Sequence, residues 1–131
     1  HIRTGSLVVY DAVNPLPIFG VNTSTAQTRM AGLATRYENV STSPYTSSIS
    51  SCVIGVTNAT FTYVRLHSAV AAGAGTILVI KDETGTRTSP SNVIKIQGSG
   101  SETIDGLAEK DIDSGHASLN LYSNGSNWFV F

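Results

Sequence analysis

From residue 52 onward, short apolar runs alternate with clusters of turn formers, the pattern of a chain built from β-strands. Cys52-Val53-Ile54-Gly55-Val56 is the first run, and Asn58-Ala59-Thr60 reads as a turn. Phe61 to His67 comes next, rich in β-branched and aromatic residues. Its alternation puts Thr62, Val64 and Leu66 on a core face and Phe61, Tyr63, Arg65 and His67 on an amphipathic opposite face. Ser68 to Gly75 is too short and glycine-broken for a stable helix, and reads as a turn with room for one helical turn. Thr76 to Ile80 lacks alternation, which predicts a strand buried on both faces.

Turns at Asp82–Gly85 and Ser89–Ser91 lead to a further strand at Val93–Ile96, and a glycine-serine turn at 98–101 precedes Thr103-Ile104-Asp105. Ala117 to Tyr122 alternates, Asn124-Gly125 is a hairpin signature, and Trp128 to Phe131 pairs back across it. Of the first fifty residues, Gly5 to Tyr10 reads as a strand, and Pro15 and Pro17 interrupt the chain soon after it. Ala26, Met30, Leu33, Ala34 and Tyr37 recur at helical spacing and predict one amphipathic helix. Residues 41–51 hold eight serines or threonines in eleven positions and predict a loop. Strands at this spacing with punctuating turns predict one all-β domain over 1–131, an antiparallel β-sandwich or barrel-like fold, with 52–131 as its clearest part. No internal repeat is visible.

Composition narrows the function classes. Charged residues are 13 % of the chain, against roughly 25 % in a typical soluble domain. The 17 serines and 15 threonines fill that gap, so hydroxyls rather than ion pairs dress the surface. A net charge of −1 leaves no electrostatic footprint for nucleic acid. No apolar run approaches the roughly 18–20 residues of a membrane span, so no membrane insertion is expected. No secretory signal is visible, and a chain that opens on His1 with its sole methionine at Met30 reads as a piece of a longer protein. The single cysteine, Cys52, reads as a small buried hydrophobe.

Several ordered motifs between Thr62 and Phe131 are those of a known kind of module. They are the turn Ser68 to Gly75, the run Ile77 to Gly85, Asn92 to Ile96, Gly100 to Gly106, and Leu119 to Val130. Together they resemble a module of bacteriophage tail-fibre, tail-spike and other virion surface proteins. The resemblance covers a little over half the chain and leaves residues 1–51 outside it. It implies a fibre-tip domain, trimeric, located on a virion appendage or tail, that serves as a structural tip or binds a host-surface carbohydrate or protein. It carries no active-site motif, and so implies no catalytic residues and no cofactor.

The residues themselves give the same direction. No Gly-x-Ser-x-Gly elbow and no histidine pair at metal-ligand spacing exists, so neither an enzyme nor a metal site is expected. Asp111 and Asp113, with Asp105, Glu109 and Ser114 nearby, have the oxygens of a calcium site but lack an EF-hand pattern, and read as a solvated acidic edge. Tyr45, in the hydroxyl-rich loop, and Tyr63, Arg65 and His67, on the amphipathic strand face, are the expected ligand contacts. Phe61, Trp128 and Phe129 are the expected contacts between copies of the chain. The leading expectation is a non-enzymatic attachment domain. Its alternatives are a capsid-decoration or fibre-connector domain, a fragment of a polysaccharide-degrading spike, and an immunoglobulin-type adhesin module.

Overall fold

The computed structural model describes residues 6–10, 17–22, 27–29 and 35–131. The chain divides into two compact units, residues 1–34 and 35–131, so the hydroxyl-rich stretch 41–51 lies in the second. In the first unit, strands β1 (Ser6–Tyr10), β2 (Pro17–Asn22) and β3 (Gln27–Arg29) form one antiparallel sheet in that order. Pro17 opens β2, a position where a missing N–H is tolerated. The helix expected from Ala26 to Tyr37 is corrected at both ends, where Gln27–Arg29 and Tyr37 are extended. Its centre, Met30, Leu33 and Ala34, lies outside the described residues, as do Ala26 and Pro15.

The second unit is all-β apart from one helical turn. Its strands are β4 (Tyr37–Val40), β5 (Tyr45–Thr46), β6 (Val53–Val56), β7 (Thr62–Arg65), β8 (Ile77–Asp82), β9 (Ile94–Gln97), β10 (Glu109–Ile112), β11 (Ser118–Ser123) and β12 (Trp128–Val130). From β4 to β9 the chain visits two sheets alternately. Strands β4, β6 and β8 pair in parallel in a five-stranded sheet, and β5, β7 and β9 pair in parallel in a four-stranded one. Parallel neighbours require a crossover, and here a strand of the other sheet supplies it in place of a helix. The result is three stacked coils, the winding of a β-solenoid. Strand β10 then folds back antiparallel on β9, and β11 and β12 extend the five-stranded sheet antiparallel from β8. The expected antiparallel pairing is therefore corrected: both sheets are mixed, and neither closes into a barrel.

The inward residues of both sheets share one core. Ile54 stacks on Ile80 and Ile80 on Leu119 in the first sheet, and Val64 on Ile96 and Ile94 on Ile112 in the second. Leu78, Leu121 and Trp128 complete it beside the C-terminal hairpin, whose turn is Asn124–Asn127. The Asn124 side chain accepts from the Ser126 and Asn127 N–H groups, and Gly125 takes φ +90°. Strand β8 is not buried on both faces as expected. Ile77 is exposed and Val79 half-buried, because their face of the five-stranded sheet has no second layer among the described residues.

The connection from β7 to β8 contains helix α1 (Ala69–Ala72), capped by Ser68, whose side chain accepts from the Ala71 N–H. Glu102 reinforces this cap from the far connection. Its carboxylate accepts from Ser68 Oγ at 2.7 Å and from the Ala69 N–H at 2.7 Å. Bonds to a charged acceptor of this kind contribute about 1.5–3 kcal/mol. Glu102→Ala should therefore lower the unfolding free energy, read from urea titration, by an amount in that range, while Glu102→Gln, which keeps one acceptor oxygen, should recover part of it. Equal midpoints for wild type and Glu102→Ala would show that this bridge holds nothing.

Candidate functional site

The parallel register of the four-stranded sheet lines up side chains far apart in sequence. Thr46, Arg65 and Gln97 are the last residues of β5, β7 and β9, and they are direct partners across the sheet, with Glu109 next in line. The neighbouring row on the same outer face, two residues along each strand, is Tyr63, Lys95 and, on the antiparallel β10, Asp111. The inward neighbours Val64, Ile94 and Ile96 are fully buried, which fixes these two rows toward solvent.

The second row is electrically closed. Lys95 Nζ lies 3.2 Å from Glu109 and 3.0 Å from Asp111, and Tyr63 donates its hydroxyl to Glu109 at 2.6 Å. The Tyr63 bond, then Lys95, holds the Glu109 carboxyl below its ordinary value, and Asp111, then Glu109, holds the Lys95 ammonium above its own. Arg65 is different. Its guanidinium carbon sits 5.5 Å from the centre of the Tyr63 ring, and it makes no ion pair among the described residues. Beside it opens a groove of about 310 Å³, lined by Thr46, Arg65, Leu66, Gln97 and the turn Gly98–Gly100. The groove thus offers a hydroxyl, an amide and a cation without an acidic partner among the described residues. Gly98 is needed there, since a Cβ on it would run into the Glu102 carbonyl.

The expected contact residues separate into three places. Phe61, Tyr63 and Arg65 do share the outer face, with the Phe61 and Tyr63 rings 6.3 Å apart. Tyr45 lies in β5 rather than in an open loop, on the inward side, with its ring against the core and its hydroxyl on Glu38. That carboxylate and burial together push the Tyr45 phenol up to about 12, burial first. His67 lies beyond the end of β7, where alternation no longer governs direction, and is 9 % exposed. It meets the edge of Trp128 at 5.2 Å and Ser47 Oγ at 2.8 Å through Nδ1. Trp128 is wholly inside the core and presents no surface, whereas Phe129 is on the outer face of the five-stranded sheet, stacked on Tyr122 at 5.6 Å.

The Ser47–His67 pair has the partners of a nucleophile and base but not their setting. Both residues are buried, and Ser47 Oγ already accepts the His67 backbone N–H at 2.8 Å. Burial lowers the His67 pKa below its ordinary value of 6.5, with Glu102 and Glu38 pulling the other way. The unfolded chain therefore binds the proton first as pH falls, and stability present above 6.5 is lost as pH drops toward the folded value. Urea midpoints should fall between pH 7.5 and pH 5 in the wild type and fall less in a His67→Asn variant. Parallel pH profiles for the two would sink this reading.

Asp111 is taken by Lys95, and Asp113 accepts from Ser114 Oγ at 3.3 Å. Among the described residues no cluster of three His, Cys, Asp or Glu groups could hold a metal ion. Alternation within Phe61–His67 is enough to place Tyr63 and Arg65 outward. Thr46, Gln97 and the 98–100 turn carry no such local signal, because only the coil register brings them beside Arg65.

No protein-family model matches the chain, and no curated protein matches it. The functional reading consequently rests on the face itself and on the residues that carry the resemblance.

Proposed function

We propose that this chain is a non-enzymatic attachment domain of a phage or other virion surface appendage, binding host-surface carbohydrate or protein through the outer face of its four-stranded sheet. The observation that carries this is the unpaired Arg65 at the mouth of an open polar groove, beside Tyr63. On this reading the two sheets form a β-sandwich over their common core. The outer face of the five-stranded sheet, with Ile77, Tyr122, Phe129 and Phe131, is where three copies pack. Exposed aromatic area of that kind is stabilised by closed symmetry, and three weak sites on one trimer give avidity without any chemical step.

Fluorescently labelled protein should decorate host cells, and light scattering behind a sizing column should give the mass of three chains. Arg65→Gln together with Tyr63→Ala should reduce cell binding at unchanged mass. A monomer that decorates no cell from a host panel would overturn the proposal.

The apolar face of the five-stranded sheet also favours a second reading, a fibre connector or capsid-decoration domain that assembles and binds no receptor. A stable trimer with no cell binding would select it.

A further inference from the structure

Resting on the attachment reading, we propose that the groove beside Arg65 takes an acidic saccharide, a sugar unit bearing a carboxylate, as its specific ligand. Three observations converge on that chemistry. The first is charge. On the outer face Lys95 is consumed by Glu109 and Asp111, while Arg65 faces the groove without an acidic partner among the described residues. A guanidinium is a planar donor fork that matches a carboxylate in two parallel bonds.

The second is the rest of the lining. Thr46 and Gln97 flank Arg65 in register on the same face, and the backbone N–H groups of Ser99 and Gly100 donate to nothing among the described residues. Three side chains spaced by the sheet, with two further N–H groups on the adjoining turn, suit ring hydroxyls around one anionic group. The third is shape. The groove is open, and its one apolar lining residue, Leu66, is buried in the core. A peptide partner needs side-chain pockets or an apolar anchor, and the groove has neither. A rigid polar ring needs only a shallow surface that carries hydrogen-bonding groups, which Thr46, Arg65, Gln97 and the 98–100 turn supply.

The test is titration calorimetry on the whole chain with tetragalacturonic acid, its carboxyl-reduced neutral counterpart, and an acidic peptide of similar charge. The acid tetrasaccharide should bind at least tenfold more tightly than the neutral one and than the peptide, and its affinity should fall as salt is raised. Arg65→Gln should weaken acid binding by tenfold or more and weaken neutral binding by much less, so that the preference for the acid over the neutral sugar collapses. Gln97→Glu, which adds an anion to the row at a half-buried position on the outer face, should weaken acid binding as much. Circular dichroism of both variants should overlay on the wild type. Equal affinity for acid and neutral sugars, an unaltered affinity in Arg65→Gln, or tighter binding of the peptide would overturn the inference. Cell decoration separates the two levels. If labelled protein still coats cells while no acidic saccharide binds, the ligand class is wrong and the attachment reading stands. If acidic saccharide binds but no cell is coated, the groove chemistry is right and attachment is wrong.

Discussion

Replacing Arg87 with methionine is expected to lower the unfolding free energy by about 3–5 kcal/mol, the cost of leaving a buried charge without its partner. Arg87 and Asp82 are both fully enclosed, with Nε 3.3 Å from Asp82 Oδ1. Asp82 occupies an inward position of β8, directly beside Val56 of β6, where the neighbouring columns are aliphatic. The pair ties three connections at one end of the coils. Arg87 donates from Nη2 to the Asn58 carbonyl at 2.5 Å, and from Nη1 to the Thr60 carbonyl at 2.6 Å and to Asn92 Oδ1 at 2.8 Å. Asp82 accepts from Thr84 Oγ1 and from the N–H groups of Thr84, Gly85 and His116.

Acid adds a second signature. Burial alone would raise the Asp82 pKa, but the N–H of His116 and the donors of Thr84 and Gly85 outweigh it and hold it below 3.8. A depressed carboxyl contributes stability that is present above pH 3.8 and is lost as pH falls through its folded value. Removing the guanidinium raises that folded value, so Arg87→Met should begin to unfold at a higher pH than the wild type. Asp82→Asn should cost about as much at pH 7, since it strands the cation instead, and should lack the acid transition of this group. An unfolding free energy for Arg87→Met within about 1 kcal/mol of wild type would mean that the three connections stand without the pair.

How much of this was legible in the sequence depends on the range over which each feature is specified. The C-terminal hairpin was legible because Ser118–Tyr122 alternates and Asn124-Gly125 sits between its strands, all within a dozen residues. The outward placement of Tyr63 and Arg65 was legible for the same reason. The parallel stacking was not. Val53 pairs with Val79 and Tyr45 with Val64 through intervening coils of unequal length, so no fixed period marks the partners.

Strand β5 is only Tyr45–Thr46, and its hydroxyl-rich surroundings look like a loop because their serines are satisfied internally. Ser51 donates to Glu38 at 2.7 Å, and Ser47 Oγ is shared between the His67 ring and the His67 backbone N–H. The helical spacing of Ala26 to Tyr37 gave way to extended structure at Gln27–Arg29 and at Tyr37, where pairing partners outweigh a helix already weakened by Gly32 and threonines. The candidate groove combines both cases. Arg65 is readable from local alternation, whereas Thr46 and Gln97 acquire their role only from the register.

Trp128→Ala should cost about 3–5 kcal/mol, the range for emptying a large aromatic site in a packed core. The ring is fully buried, its Nε1–H donates to the His67 carbonyl at 3.3 Å, and it meets the His67 ring at 88°. The backbone adds to this. The Trp128 N–H donates to the Thr103 carbonyl at 2.9 Å, and its carbonyl accepts from the Asp105 N–H at 3.0 Å, so β12 is stitched to the segment before β10. Trp128→Phe keeps an apolar ring and leaves the His67 carbonyl without its donor, so its loss should fall between those of wild type and Trp128→Ala. Unfolding must be followed by circular dichroism, because Trp128 is the only tryptophan. Its effect should reach the groove. His67, which it seats, is two residues beyond Arg65, and the 98–100 turn is joined to Thr103 through Glu102. Loosening that seat frees both walls at once, so under the acidic-saccharide proposal the affinity should drop in Trp128→Ala even at temperatures where the variant is still folded. Unchanged affinity in a destabilised but folded variant would show that the groove is held by the sheet register alone.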